Sequence, residues 1–100
     1  MNAVDLAELL AHSMDTNVEA ARMLMDCVYC NPDDFLTKEE KITSYQNIKE
    51  RYAGYIDLIA DILKKTTNSE YHEKIDEQCF YTKARLDEVC DKHVFFTKYC

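Results

Sequence analysis

Apolar residues recur at intervals of three and four along almost the whole chain, which is the spacing of one face of an α-helix. A short first helix is predicted from Ala3 to about His12, with Asn2 as its N-cap. A second helix is predicted to begin at Thr16, because Glu19 three residues later completes the pattern of a capping box. The apolar positions of the second helix are Val18, Ala21, Leu24, Met25 and Val28.

The longest predicted helix follows a proline. Pro32 ends the second helix, because the residue before a proline avoids the helical conformation. Thr37 and Glu40 form a second capping box, and the helix that they open continues to about Lys65. We interpret Gly54, inside this helix, as allowing a close helix crossing. The apolar stripe consists of Ile42, Tyr45, Ile48, Tyr52, Tyr55, Ile56, Ile59, Ile62 and Leu63.

A last helix is predicted from about Ser69 to beyond Val89. The tail, residues 94–100, is compatible with a continuation of this helix or with a short extended segment, because periodicity does not separate the two in so short a run. The stripe of the last helix consists of Tyr71, Ile75, Cys79, Leu86, Val89, Cys90 and His93.

These elements predict a single helical domain over residues 1–100. The fold class is all-α, an antiparallel bundle of three to four helices with one long central helix. One glycine and one proline are too few for the tight turns of a sandwich or barrel. The Thr37–Lys65 helix would be about 40 Å long, so part of its stripe would lack a partner in the monomer, and a homodimer would cover it.

The negative charge is confined to one part of the chain. Residues 1–40 carry nine acids and two bases, whereas residues 41–100 carry ten of each, so the net charge of −7 belongs to the first forty residues. This charge disfavours direct nucleic-acid binding, because the phosphate backbone repels it. The N-terminus lacks the basic region of a signal peptide and no apolar run is long enough for a membrane span. We therefore expect a cytoplasmic protein that does not contact membranes.

The acids suggest a surface for a basic partner. The partner-binding candidates are Asp15, Glu19, Asp26, Asp33 and Asp34. The first three are spaced by four and seven residues, close to one helix face, and the last two follow beyond the turn. Such a ladder would imitate the phosphates of a nucleic acid and occupy a basic groove on a partner. The alternative is an ordinary solubilising surface.

The cysteines and a histidine give the only candidate metal ligands. Cys27 and Cys30 form a C-x2-C pair and Cys90 and His93 a C-x2-H pair, a donor set that suits tetrahedral zinc. The pairs lie far apart and lack flanking glycines, and free cysteine is commonly buried as a small hydrophobic residue. We therefore predict no cofactor and keep zinc as an alternative. A redox role is disfavoured, because this C-x2-C pair falls at a helix C-terminus.

Three tyrosines of the long helix share one face. Tyr45, Tyr52 and Tyr55 are spaced by seven and three residues. Tyrosine is enriched in interface cores, so this face is a candidate for a dimer or a partner. The alternative is that the rings edge the bundle core and keep their hydroxyl groups in water.

The sequence thus predicts a small acidic protein-binding module or inhibitor, not an enzyme, since no residues combine catalytic chemistry with suitable spacing. In size, acidity and helical character the chain is similar to small proteins of phages and mobile elements, including anti-CRISPR inhibitors and antitoxins. That similarity implies a basic, nucleic-acid-handling protein partner. The alternatives are a structural or regulatory homodimer and a zinc-stabilised helical domain.

Overall fold

The computed structural model describes residues 2–100, which are helical apart from short connections. Four α-helices are present, together with a π-helical turn at Ala11–Asp15 and a 3-10 turn at Ser69–Tyr71. The α-helices are α1 (Ala3–Leu10), α2 (Thr16–Tyr29), α3 (Lys38–Thr66) and α4 (His72–Tyr99). The all-helical prediction is confirmed, and no helix of the described residues is long and apolar enough to cross a membrane.

α1, the π-helical turn and α2 form one continuous helical rod, which we call the first rod. The predicted capping box at Thr16 is therefore wrong: the Thr16 hydroxyl donates to the His12 carbonyl and Asp15 provides no side-chain cap. No glycine or proline interrupts the helix here. The side chains of Ser13 and Asn17 also donate to carbonyls four residues back, a bonding pattern that accompanies distorted helical turns.

Most of the other predicted ends of helices are confirmed, but the end predicted at about His12 is wrong, because the rod continues there. Asn2 caps α1 and forms a capping box with Asp5. α2 ends at Tyr29, three residues before Pro32. Thr37 and Glu40 form the predicted box at the start of α3, with the two backbone-to-side-chain bonds at 3.1 Å. The tail is helical, since α4 continues to Tyr99.

Three rods pack side by side into an elongated bundle of 51 × 18 × 16 Å. α3 runs antiparallel to α4, since Lys49 pairs with Asp87 and Lys64 with Asp76. The first rod runs parallel to α4, since Asp15 contacts Arg85 and Asp26 contacts His93, and each rod contacts the other two. The prediction of one long central helix needs correction, because α4 has 28 residues and α3 has 29. α4 therefore covers α3 along almost its full length.

The core follows the predicted stripes with several exceptions. Leu24, Tyr55 and Ile62 are exposed, although periodicity placed them in apolar stripes. Thr82 and Thr97 of α4 are buried, although the stripe did not include them. A Cβ atom at Gly54 would have no neighbour within 4 Å, so this glycine does not mark a close crossing inside the monomer. The buried apolar residues are Leu6, Leu10, Met14, Val18, Ala21, Met25, Tyr45, Ile48, Ile56, Ala60, Leu63, Ile75, Cys79, Leu86 and Cys90.

Candidate functional site

Two of the five candidate acids already bond to residues of α4. Asp15 at the end of the π-helical turn accepts from Arg85 of α4 at 2.7 Å. Asp26 of α2 lies 2.6 Å from Nε2 of His93, also on α4. Both carboxylates therefore join the first rod to α4. A partner would have to compete with these contacts to use either one.

The remaining three candidates differ in availability. Glu19 pairs with Arg22 of its own helix, and both side chains remain about half exposed. Asp33 lies 3.2 Å from Lys41 Nζ, yet its side chain is still largely exposed. Asp34 is exposed and forms no ion pair with any of residues 2–100. The acids that remain most accessible thus lie in the connection between α2 and α3.

This connection is a well-bonded turn. The Pro32 carbonyl accepts the backbone N–H groups of Phe35 at 2.9 Å and Leu36 at 3.2 Å. The Asn31 side chain donates to the Cys27 carbonyl at 2.8 Å. At the other end, the box of Thr37 and Glu40 fixes the start of α3. The turn therefore has a defined conformation without any glycine.

Lys41 of α3 holds the turn through hydrogen bonds. Its side chain is only 6% exposed, and Nζ donates to the carbonyls of Tyr29 at 3.2 Å and Asn31 at 2.7 Å and to Asp33 Oδ1 at 3.2 Å. All three ammonium protons therefore have acceptors. Two of those acceptors lie at the C-terminal end of α2, where carbonyl groups lack helical partners and a cation is favoured.

Phe35 projects from this turn into solvent. It is 78% exposed, the largest value among the large apolar side chains of the described residues. Residues 33–40 carry four acids, Asp33, Asp34, Glu39 and Glu40, and a single base, Lys38. We call residues 32–40 the acidic turn. It presents an exposed aromatic ring on a segment rich in carboxylates.

Sequence reasoning missed both Phe35 and Lys41. Lys41 precedes Tyr45 and Ile48 by four and seven residues, so periodicity places it on the core face of α3. Phe35 is a lone aromatic residue between two acids and a capping box, which was a usable signal for an exposed aromatic side chain. Neither signal reveals the hydrogen bonds that fix the turn.

The candidate zinc ligands are not brought together. Cys27 and Cys30 are exposed, whereas Cys90 is buried. His93 is engaged by Asp26, and its Nδ1 lies 2.7 Å from the Val89 carbonyl. Within residues 2–100 no three His, Cys, Asp or Glu side chains form a group that could hold a metal ion.

The buried thiols have an environment that keeps them protonated. Burial raises the pKa of Cys79, whose Sγ also lies 3.4 Å from Asp57 Oδ1, and burial raises the pKa of Cys90. Lys83 donates to the same Asp57 oxygen at 2.9 Å, and this bond lowers the pKa of Asp57. Because the thiolate is the reactive form, neither buried cysteine has the chemistry of a nucleophile.

The tyrosine face is divided between core and surface. Tyr45 is fully buried and its hydroxyl lies 2.8 Å from the Thr97 hydroxyl, so it does not belong to an accessible face. Burial raises the Tyr45 pKa. Tyr52 is half-buried, and Tyr55 is exposed with its ring edge-on to Tyr52. Of the three, Tyr55 alone is exposed, at 45%.

The acidic turn is thus a surface on which exposed acids and an exposed aromatic ring occur together. Comparisons with known proteins find no matching family model, no matching curated protein and no matching solved structure.

Proposed function

We propose that this protein is a binding module that attaches to a basic protein partner through the acidic turn. The observation that carries the proposal is the exposure of Phe35 at 78% on a turn held by the side chains of Lys41 and Asn31, each of which donates to a backbone carbonyl. The role is contact with a protein, not catalysis.

A preformed turn lowers the cost of binding. Loops that must become ordered lose conformational entropy when they bind, and a turn that is already hydrogen-bonded avoids most of that loss. Burying a phenylalanine side chain gains about 1.5–3 kcal/mol relative to leaving it in water. Phe35 therefore has the properties of an anchor residue, with the carboxylates of Asp33, Asp34 and Glu39 around it.

The charge of the turn selects the class of partner. Anionic lipid surfaces and nucleic acids both repel a segment that contains four acidic residues and one basic residue. A protein with Lys and Arg around an apolar pocket complements both the ring and the carboxylates. A nucleic-acid-handling protein has such a basic surface, and occupying it would make this chain an inhibitor or regulator.

The other predicted acids contribute less to the proposed interface, because they are already paired within the bundle. Asp15 and Asp26 hold α4 to the first rod, and Glu19 is paired with Arg22. Breaking these pairs would offset part of what a new contact gains. Asp33 and Asp34 are the members of the predicted ladder that we place in the interface.

Site-specific photo-crosslinking tests the proposal. A benzophenone amino acid replaces Phe35 in the full chain, and the crosslinked product formed in the source cells is identified by mass spectrometry. The same amino acid at Phe80 of α4, which is 68% exposed, provides the matched control. We expect one basic protein to be crosslinked from position 35 and not from position 80.

Purified components then test the role of charge. The affinity of the crosslinked protein is expected to fall when the salt concentration rises from 50 to 300 mM, and Asp34→Lys is expected to weaken binding about tenfold. Asp87→Lys, which alters an acid paired with Lys49 far from the turn, should have little effect. An acidic product, equal crosslinking from both positions, or equal loss from both lysine variants contradicts the proposal.

A further inference from the structure

Ion pairs join α4 to both other rods. The ion pair Asp15–Arg85 and the contact of Asp26 with His93 Nε2 connect the first rod with α4. Three more connect α3 with α4: Lys64–Asp76, Lys83–Asp57 and Lys49–Asp87. Within residues 2–100 no ion pair joins a helix of the first rod to α3, because the Lys41–Asp33 pair lies at the connecting turn. One of the three seams of the bundle therefore lacks charged contacts.

Exposed apolar side chains lie along this third seam. Tyr55 and Ile62 stand two residues before Asp57 and Lys64, so each lies about 160° around α3 from a residue that contacts α4. Leu24 has the same relation to Asp26 on α2. Leu58, between Tyr55 and Ile62, is 56% exposed. These side chains border the groove between α3 and the first rod.

The α3 side of the groove has the spacing of a helix-packing seam. Arg51, Tyr55, Leu58, Ile62 and Lys65 are separated by four, three, four and three residues. This is the repeat by which coiled-coil helices present one stripe to a partner helix. The stripe is additional to the buried stripe of α3. It is apolar in the middle and basic at both ends.

The opposite side of the groove is acidic at one end. Ala3, Ala7 and Ala11 line a groove against Lys74 and Tyr81 of α4. Asp5 and Leu9 each stand two residues from Ala7, so they lie about 160° around α1 from this groove. α1 lies beside Lys74 of α4, and Asp76 pairs with Lys64, so α1 lies at the same end of the bundle as Lys65. Leu9 is also exposed. The α1 side thus carries an apolar residue and an acid at the level where α3 carries Ile62 and Lys65.

We propose that a second copy of this chain covers the third seam, with the two-fold axis parallel to the long axis of the bundle. In this arrangement α3 of one copy packs on the first rod of the other at the same level. Ile62 then meets Leu9 of the second copy, and Lys65 meets Asp5. The alternative, α3 packed antiparallel on α3, would place Arg51 opposite Lys65, which is a like-charge contact. This surface is separate from the acidic turn, so the dimer and the proposed function are tested independently.

Sedimentation equilibrium tests the dimer. The Cys100→Ser variant, which excludes a terminal disulfide, is measured from 1 to 300 μM under reducing conditions. We expect the mass to rise from that of the 11.7 kDa chain to twice that value. Leu58→Lys should weaken the dimer about tenfold or more. Phe80→Lys, at an exposed apolar residue of α4, should leave it unchanged.

A charge exchange tests the orientation. Lys65→Glu and Asp5→Lys should each weaken the dimer, and the double variant should recover most of the lost affinity, with circular dichroism confirming that each variant is folded. A monomer mass at every concentration overturns the proposal. A dimer that Phe80→Lys weakens and Leu58→Lys does not also overturns it. A dimer without recovery in the double variant overturns the proposed orientation.

Discussion

At the scale of single residues, Lys41 shows how one side chain fixes the proposed site. A buried lysine is tolerated only where its ammonium protons find acceptors, and here they find two carbonyls and a carboxylate. The methylene groups of the side chain fill a core-facing position of α3. Lys41 therefore couples the end of α2, the acidic turn and the start of α3.

Replacing Lys41 with methionine should destabilise the protein by about 1–3 kcal/mol, because the substitution keeps the packing volume but leaves the Asn31 and Tyr29 carbonyls without their donor. Urea unfolding followed by circular dichroism measures the change. Lys49→Met is the control, since Lys49 is 3.8 Å from Asp87 and partly exposed, and should change stability by no more than about 0.5 kcal/mol. Equal effects of the two variants would show that the Lys41 hydrogen bonds do not hold the turn.

The five cysteines should fall into two reactivity classes. Cys27, Cys30 and Cys100 are exposed, whereas burial and a raised pKa protect Cys79 and Cys90. A thiol-specific reagent at pH 8 is therefore expected to modify three thiols rapidly in the native protein and all five in guanidinium chloride. Peptide mapping identifies the modified sites. Rapid modification of Cys79 in the folded protein would contradict its place in the core.

At the scale of elements, the sequence predicted the helices that strong local signals define. Asn2, Pro32 and the box at Thr37 act within one turn of the chain, so their effects are visible in the sequence. The same pattern at Thr16 gave a wrong prediction. A capping box forms only where a helix begins after a non-helical segment, and the residues between Leu10 and Thr16 are helical. A local motif inside a continuous helix has no free N–H groups to cap.

The two Thr-x-x-Glu patterns should differ in thermodynamic effect. Thr37→Ala removes a cap whose hydroxyl accepts from the Glu40 N–H, and should cost about 1 kcal/mol. Thr16→Ala removes a hydroxyl that donates to a carbonyl already within a helix, and should cost no more than a few tenths of a kcal/mol. Thermal unfolding of both variants provides the comparison. A loss of about 1 kcal/mol from Thr16→Ala would support a true helix start at that residue.

At the scale of the whole molecule, apolar periodicity predicted an all-helical bundle but not which exposed residues would stand together. Leu24, Tyr55 and Ile62 fit the helical period as well as buried residues do, so only the packing of the three rods shows that they are exposed. The charge imbalance is visible in the sequence, but the residues that bond to Asp15 and Asp26 are not, because they lie 70 and 67 residues away along the chain. Contacts over such distances depend on how the rods align.

The two proposals use different faces of the molecule. The acidic turn lies at one end of the bundle, with Phe35 exposed and Lys41 beneath it. The third seam runs along the side between the first rod and α3. A dimer formed through the seam would leave both acidic turns accessible, so each could bind its own partner.

The central claim is that Phe35 anchors a basic partner. The most direct test is isothermal titration calorimetry of the crosslinked partner with the wild-type chain, Phe35→Ala and Phe80→Ala at 100 mM salt. Loss of a buried phenylalanine ring predicts at least about tenfold weaker binding for Phe35→Ala and wild-type affinity for Phe80→Ala. Wild-type affinity for Phe35→Ala, in a variant that circular dichroism shows to be folded, would contradict the account.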